Sequence, residues 1–380
     1  MEARMQVAVI GCGVVGSCVG WHLARRGAQV VMMDAGPPGA AVSSWTFGWV
    51  NASNKTETRA YFDLNVAGMS AHRELAGLLG SGNWWHPTGH LRWSDDPGST
   101  EMLLRAVDLL ISWGYNVACW DADRVRRLLE PEVRFPAGDT PVAFYPDEGW
   151  IDGRQLVGRL VEDAVSNGAE LHAGTAVTDI IVKGDHVAEI VLSNAHRYKV
   201  DAVVNAAGPA GREVAGFVGR TLPMRDEPGL IARLRCDHVP VRRAMHAPHV
   251  EIRPDGPGQV VLHSREIDAL IDPAAGPTDP ADLAGRLRDL AVEVVPALRT
   301  GELIRAKIAR RPIPIDGFPS VGGLDDLAGY YEAVTHSGIT LSVVIGRLLA
   351  REIIDGSVDE LIKPYRPDRF PSYEPGSHGE

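Results

Sequence analysis

The stretch Val7-Ala8-Val9-Ile10-Gly11-Cys12-Gly13-Val14-Val15-Gly16 joins a short, fully apolar run to a G-x-G-x-x-G pattern. An apolar run ending at glycine reads as a buried parallel strand. A helix is expected over Gly16–Arg26, with Gly27 at the C′ position, and a second buried strand over Gln29–Met33, ending at Asp34. In this βαβ order the first glycine makes the tight turn, the second lets backbone approach a pyrophosphate, and the third lets helix pack on strand. The helix N-terminus offers free N–H groups and partial positive charge to phosphates. Asp34 lies 18 residues beyond Gly16, where a carboxylate accepts ribose hydroxyls and repels a 2′-phosphate. The corner therefore predicts a dinucleotide site, for FAD or NAD rather than NADP, using Gly11, Gly13, Val14, Val15, Gly16 and Asp34.

At 380 residues the chain is too long for one ordinary core, so two domains, or one with a large insertion, are expected. A net charge of −11 argues against nucleic acid, which needs a basic face. It does not exclude a basic pocket for a small anion. Cys12, Cys18, Cys119 and Cys236 show no metal-ligand spacing, so no metal site is expected and the thiols read as unpaired. No apolar run nears the roughly 20 residues that span a bilayer, and the glycine-broken start lacks signal-peptide features. A cytoplasmic location is expected.

Further along, helical patterns cover Thr58–Leu79, Glu101–Trp113 and Ala122–Leu129, with a Trp-rich strand over Trp84–Trp93 between the first two. A helix at Arg154–Asn167 and strands at Glu170–Ala173, Val177–Lys183, His186–Ser193 and Ala202–Ala206 restore the earlier rhythm. A proline-punctuated β-like block spans Leu222–Val261, followed by a helix near Asp282–Val294. The chain ends with a loop at Arg311–Gly323, a strand at Tyr330–Val334, a helix over Ile339–Ile354 and, from Pro367, a surface coil.

Four later segments separate FAD from NAD. They are Asp147-Glu148-Gly149-Trp150-Ile151-Asp152-Gly153, Ala202-Val203-Val204-Asn205-Ala206-Ala207-Gly208-Pro209, Arg311-Pro312-Ile313-Pro314-Ile315-Asp316-Gly317-Phe318-Pro319-Ser320-Val321-Gly322 and Thr335-His336-Ser337-Gly338-Ile339-Thr340-Leu341. Taken in order with the N-terminal corner, they resemble the D-amino acid oxidase family of flavoproteins, which includes glycine oxidase, sarcosine oxidase and D-amino acid dehydrogenase. The resemblance implies an α/β fold: a Rossmann-like FAD-binding domain, discontinuous in sequence (1–57, 150–215 and 312–366), and an α+β substrate domain on a mostly antiparallel sheet (58–149 and 216–311). Residues 367–380 form a tail.

The resemblance further implies non-covalent FAD, with Ala35 joining the ADP half and Ser43 and Ser44 beside the pyrophosphate and flavin. Val177 falls at the adenine, Ala207 and Gly208 at the nucleotide, and Gly338, Ile339 and Thr340 at the flavin-facing start of the last helix. Arg311 occupies the place of the arginine that grips a substrate carboxylate, with Arg310 as its solvent-facing neighbour; the competing role is an ion pair with an acid such as Asp316. His336 is a candidate for orienting substrate, and His263 and Lys55 are further candidates. The implied reaction moves a hydride from a C–H bond beside nitrogen to flavin N5, leaving an imine. The substrate is an amine or amino acid, and the electrons go to O2 or another acceptor. Two alternatives stay open: a larger biosynthetic intermediate as substrate, or a flavin subunit of a multi-subunit dehydrogenase. Homo-oligomerisation is open as well. The lysine that assists oxygen reduction in sarcosine oxidase-like members aligns with Val261, with no lysine nearby in sequence. The aromatic run around Trp45, Phe47 and Trp49, with Trp84, Trp85 and Trp93, suits either a larger pocket or ordinary core.

Overall fold

The computed structural model describes residues 4–80, 82–136, 139–272 and 278–370. Its central sheet has six strands in the order Ser320–Gly323, Tyr330–Val334, Ala202–Asn205, Gln6–Ile10, Gln29–Asp34 and Glu170–Ala173. Neighbours pair in parallel except the Ser320–Gly323 edge, which is antiparallel to Tyr330–Val334. One face is covered by the helices Val14–Arg25, Gly153–Ser166 and Gly338–Asp355, the first lying between the other two. Close approach explains the small residues there: a Cβ on Gly346 would sit 2.8 Å from the Cys18 backbone. On the other face lies an antiparallel meander, Val177–Lys183, His186–Leu192 and Arg197–Lys199. Its Ile180 and Ile190 pack with Ala8, Ile10, Met33 and Val203 of the central sheet.

An eight-stranded sheet forms the second layer system, ordered Glu302–Arg310, Pro228–Arg235, Gln259–His263, Glu251–Pro254, Ala244–His246, His90–Arg92, Pro141–Tyr145 and Ala118–Asp121. Only the pair Ala244–His246 and His90–Arg92 is parallel. The helix Pro280–Val294 buries Leu283, Ala284, Leu287 and Ala291 against this sheet. A small sheet of Trp49–Val50, Gly149–Ile151 and Trp85–His86 lies where the chain passes between the two systems. No helix among the described residues is long and apolar enough to cross a membrane.

Several expected elements are corrected. The single strand over Trp84–Trp93 is two short strands in different sheets, because Gly89 turns the chain at φ +80. Two helices start earlier than apolar periodicity suggests. Val14 opens the first directly behind the glycine turn, and Pro97 opens the third behind an Asp96 cap whose carboxylate accepts from Ser99 N at 2.9 Å, where cap and proline chemistry sets the start. The strands Arg197–Lys199, Glu302–Arg310 and Ser320–Gly323 go unforeseen. The last of these lies inside the expected Arg311–Gly323 loop. Pro367 does not begin a coil: Pro367–Arg369 is a 3₁₀ turn and Phe370 buries against Leu222 and Val334. The rest of the expected tail lies outside the described residues.

Candidate functional site

At the N-terminal corner Gly11 has φ +99, and a Cβ on it would overlap the Ala206 carbonyl oxygen. A Cβ on Gly16 would overlap the Gly11 carbonyl oxygen, and one on Gly13 would lie 3.0 Å from Ser43 Oγ. No side chain caps the helix that Val14 starts, so most first-turn N–H groups stay available. Val14 N–H donates to Ser43 Oγ at 3.0 Å, which brings the Ser43–Ser44 segment over the turn. Ser44 Oγ donates to the Gly39 carbonyl at 2.6 Å. The Asp34 carboxylate accepts from Cys12 N at 2.7 Å and from Gly36 N at 2.9 Å. It therefore braces the turn as well as ending the strand. Thr175 N–H donates to the Asp34 carbonyl at 2.9 Å, which carries the chain into the Val177 strand on that side. Ala207 Cα would lie 2.8 Å from a Gly11 Cβ, and Gly208 follows at φ +57.

The last helix begins nearby. Ser337 precedes it without capping it; its Oγ pairs with Tyr61 OH at 2.7 Å. A Cβ on Gly338 would stand 3.2 Å from Val15 Cγ2, so both helix starts meet. The Ile339 carbonyl contacts His72 Nε2 at 2.7 Å, and Thr340 Oγ1 accepts from Asn51 N at 3.2 Å.

Between this helix start and the eight-stranded sheet opens a cavity of about 670 Å³. Trp45, Phe47 and Trp49 line it, whereas Trp84, Trp85 and Trp93 are buried in core. The aromatic stretch thus divides between pocket and core. Two arginines of the large sheet hold the lining segment: Arg233 donates to the Ser44 carbonyl at 2.6 Å, and Arg253 to the Phe47 carbonyl.

Arg311 reaches the cavity, but not as a free cation. One terminal nitrogen donates to Glu227 at 3.0 Å and the other donates to Asp268. The expected acid partner Asp316 instead pairs with Arg369 at 2.8 Å. Arg310 faces solvent and bonds Asp226 at 2.7 Å. His263 sits 2.8 Å from Asp268 through Nε2 and 2.5 Å from Glu251 through Nδ1. Burial alone would lower its pKa, but Glu251 and Asp268 outweigh that and raise it to about 9. As an imidazolium it donates to both acids, so both ring nitrogens are spent. Burial would raise Glu251, yet His246 and His263 hold it well below the usual carboxylate range. Behind this wall His246 contacts His90 at 2.6 Å. His90 lies 3.4 Å from buried Glu148, which accepts from Tyr115 OH at 2.7 Å and Trp49 Nε1 at 2.9 Å.

His336 and Lys55 line the cavity as well. His336 is exposed to the cavity. Desolvation there, then the charges of Lys55, Arg311, Arg265 and Arg225, hold its imidazole below its usual pKa, so it is a neutral hydrogen-bonding group. The candidate Lys55, distant in sequence from Val261, folds into the cavity, while Val261 is buried with Phe47 and Trp150. Sequence reading missed Asp268, Glu251, His246 and Arg265. Glu251 and His263 are cross-strand partners, a relation visible only once the register is known. Among the described residues no group of side chains has metal-holding character.

The model of the FAD dependent oxidoreductase family (DAO) matches residues 6–352. The chain belongs to that family and is an FAD-dependent oxidoreductase. It is 24% identical over 412 residues to hydrogen cyanide synthase subunit HcnC of Pseudomonas aeruginosa, covering 97% of both chains. Over 359 residues it is 24% identical to glycine oxidase of Geobacillus kaustophilus, covering 92% of this chain and 93% of that one. The crystal structure of that glycine oxidase superposes with a TM-score of 0.82 at 21% identity, over 96% of this chain and 98% of the other. L-proline dehydrogenase of P. horikoshii does so with a TM-score of 0.85 at 16% identity, over 97% and 98%. These likenesses fit the α/β fold with its mixed sheets. The Cβ-free turn at Gly11 and the uncapped helix starts at Val14 and Gly338 suit a diphosphate and an electron-rich ring, as FAD requires.

Proposed function

We propose that the chain oxidises a C–N bond of an amino acid or a secondary or N-methyl amine, leaving an imine that water hydrolyses. The observation that carries this reading is the cavity, which lies between the last helix start and a wall of charged side chains. FAD, when bound, would supply the hydride acceptor, with O2 or another acceptor taking the electrons. Gly11, Gly13, Val14, Val15, Gly16, Asp34 and Ala35 hold its ADP half, and Ser43 and Ser44 its pyrophosphate. Val177, Ala207 and Gly208 flank the nucleotide, while Gly338, Ile339 and Thr340 present helix N–H groups to the ring. Attachment is non-covalent. In this reading 1–57, 150–215 and 312–366 form the cofactor domain, and 58–149 and 216–311 the substrate domain.

The protein's part in the chemistry is orientation. The substrate binds as the free amine and donates its N–H to a neutral His336, so the nitrogen lone pair stays free to form C=N as the hydride leaves. Arg311 and His263 act as a rigid, charge-balanced wall and not as proton carriers. Anaerobic bleaching of the flavin by a panel of amino acids and N-methyl amines tests the reading: bleaching by at least one class is expected, and a flavin that stays oxidised against all of them overturns it. A second reading follows from the full-length likeness to a synthase subunit: electrons leave to a partner protein. Flavin reduction accompanied by dye reduction and little peroxide favours it.

A further inference from the structure

Lys55 is a buried cation that no carboxylate among the described residues pairs with directly, although Glu57 and Glu148 act on it from further off. It is 7% exposed, and what remains accessible faces the cavity that it lines. Among the described residues its ammonium has no hydrogen bond or ion pair; Nζ stands over the Tyr61 ring at 5.8 Å. A lone buried ammonium is costly unless something pairs with it. Across the cavity the balance is reversed. Arg311 and His263 are matched by Asp268 and Glu251, and Glu227 adds a further negative charge at 3.0 Å from Arg311. A carboxylate approaching Arg311 meets acids already bonded to it, whereas one approaching Lys55 meets an ammonium that no carboxylate bonds, with Arg265 near and Glu57 and Glu148 opposing from further off.

We propose that Lys55, and not Arg311, receives the anionic group of the substrate. The proposal rests on the reading of the cavity as an amine- or amino-acid-oxidising site, and it adds that the substrate carries a carboxylate. The placement suits the chemistry. The Lys55 segment is joined to the start of the last helix through Asn51 N and Thr340 Oγ1 at 3.2 Å, and Tyr61 is joined to Ser337 at 2.7 Å. An anion held by Lys55 therefore has a fixed position relative to the helix start, with His336 near enough to feel the Lys55 charge. Arg265 lines the cavity too and has no carboxylate partner among the described residues.

Burial, together with Arg265, pulls Lys55 down to about 8 against the opposing charges of Glu57 and Glu148. Tyr61 and His336 face it as well, the first un-ionised below about 12 and the second neutral above about 3. Anion affinity should therefore persist below pH about 8 and fall above it as the ammonium loses its proton, a dependence a permanently charged arginine cannot produce.

The test titrates the FAD-loaded protein with acetate and glycolate, using acetamide as a neutral control, and follows the flavin visible spectrum. Lys55→Met should weaken acetate binding by about 10- to 100-fold and leave acetamide unchanged. In the wild type the acetate Kd should rise by about tenfold per pH unit above the lysine pKa, and Lys55→Arg should restore binding and flatten that rise. Acetate binding unaltered in a flavin-replete Lys55→Met protein overturns the proposal alone, as does a larger loss in Arg311→Lys. Wild-type flavin that answers to no carboxylate overturns both the proposal and the amino-acid reading.

Discussion

At the Gly11–Gly16 turn the decisive contacts are made by backbone, Gly16 against the Gly11 carbonyl and Gly11 against that of Ala206, and the three glycines lie close in sequence. At the cavity wall Arg311, Asp268, His263 and Glu251 arrive from a strand end, a short helix and two strands, and meet through charged side chains. The turn works because side chains are missing, so its weakness is any added atom. The wall works because charges cancel, so its weakness is any charge removed. Two regions of one site thus obey different physics and should fail in different ways.

The largest effect expected from that contrast is at the wall. Asp268→Ala leaves Arg311 and a protonated His263 facing each other in a buried place, and should cost about 3–5 kcal/mol in urea unfolding. Asp316→Ala, at the exposed pair with Arg369, should cost no more than about 1 kcal/mol. Equal losses would dissolve the distinction between wall and surface. Next, Gly16→Ala drives a methyl group into the Gly11 carbonyl oxygen, backbone that cannot yield, and should cost roughly 3 kcal/mol. The purified variant should emerge from gel filtration without flavin absorbance, and full FAD retention would show that helix and strand are not closely packed there.

Third comes the pH dependence of the wall. The folded pKa of His263 is raised from 6.5 to about 9, so its contribution is fully present below pH 6.5 and disappears as pH rises through 9. Wild type should exceed His263→Gln by roughly 1–3 kcal/mol below pH 6.5, with the gap closing by pH about 9. A pH-independent gap in urea unfolding would mean that His263 is not charged. The smallest effect belongs to the turn: Ser43→Ala removes the acceptor for Val14 N–H and should cost about 1 kcal/mol, with FAD binding only slightly weakened.

Legibility follows the same divide. Gly11, Gly13 and Gly16 could be read because their spacing along the chain is their spacing in space, and a tight turn imposes steric conditions only glycine meets. The cap at Asp96 is present in the sequence too, but apolar periodicity points past it to a helix start at Glu101. Glu302–Arg310 was missed because its strand is only half-buried, alternating charged and apolar residues, and is recognised through its partner Pro228–Arg235. Arg311 was found by its motif, while the acid it pairs with was not, since Asp268 has no local sign of the company it keeps.

The sequence by itself determined the FAD corner, the α/β order around it and the family, because backbone geometry and buried strands depend on neighbours within a few residues. Tertiary structure alone decided which charges are spent and which are free. Arg311 is balanced by Asp268 and Glu227, and Lys55 has no ion pair among the described residues, because ionisation and pairing depend on groups brought together from far along the chain.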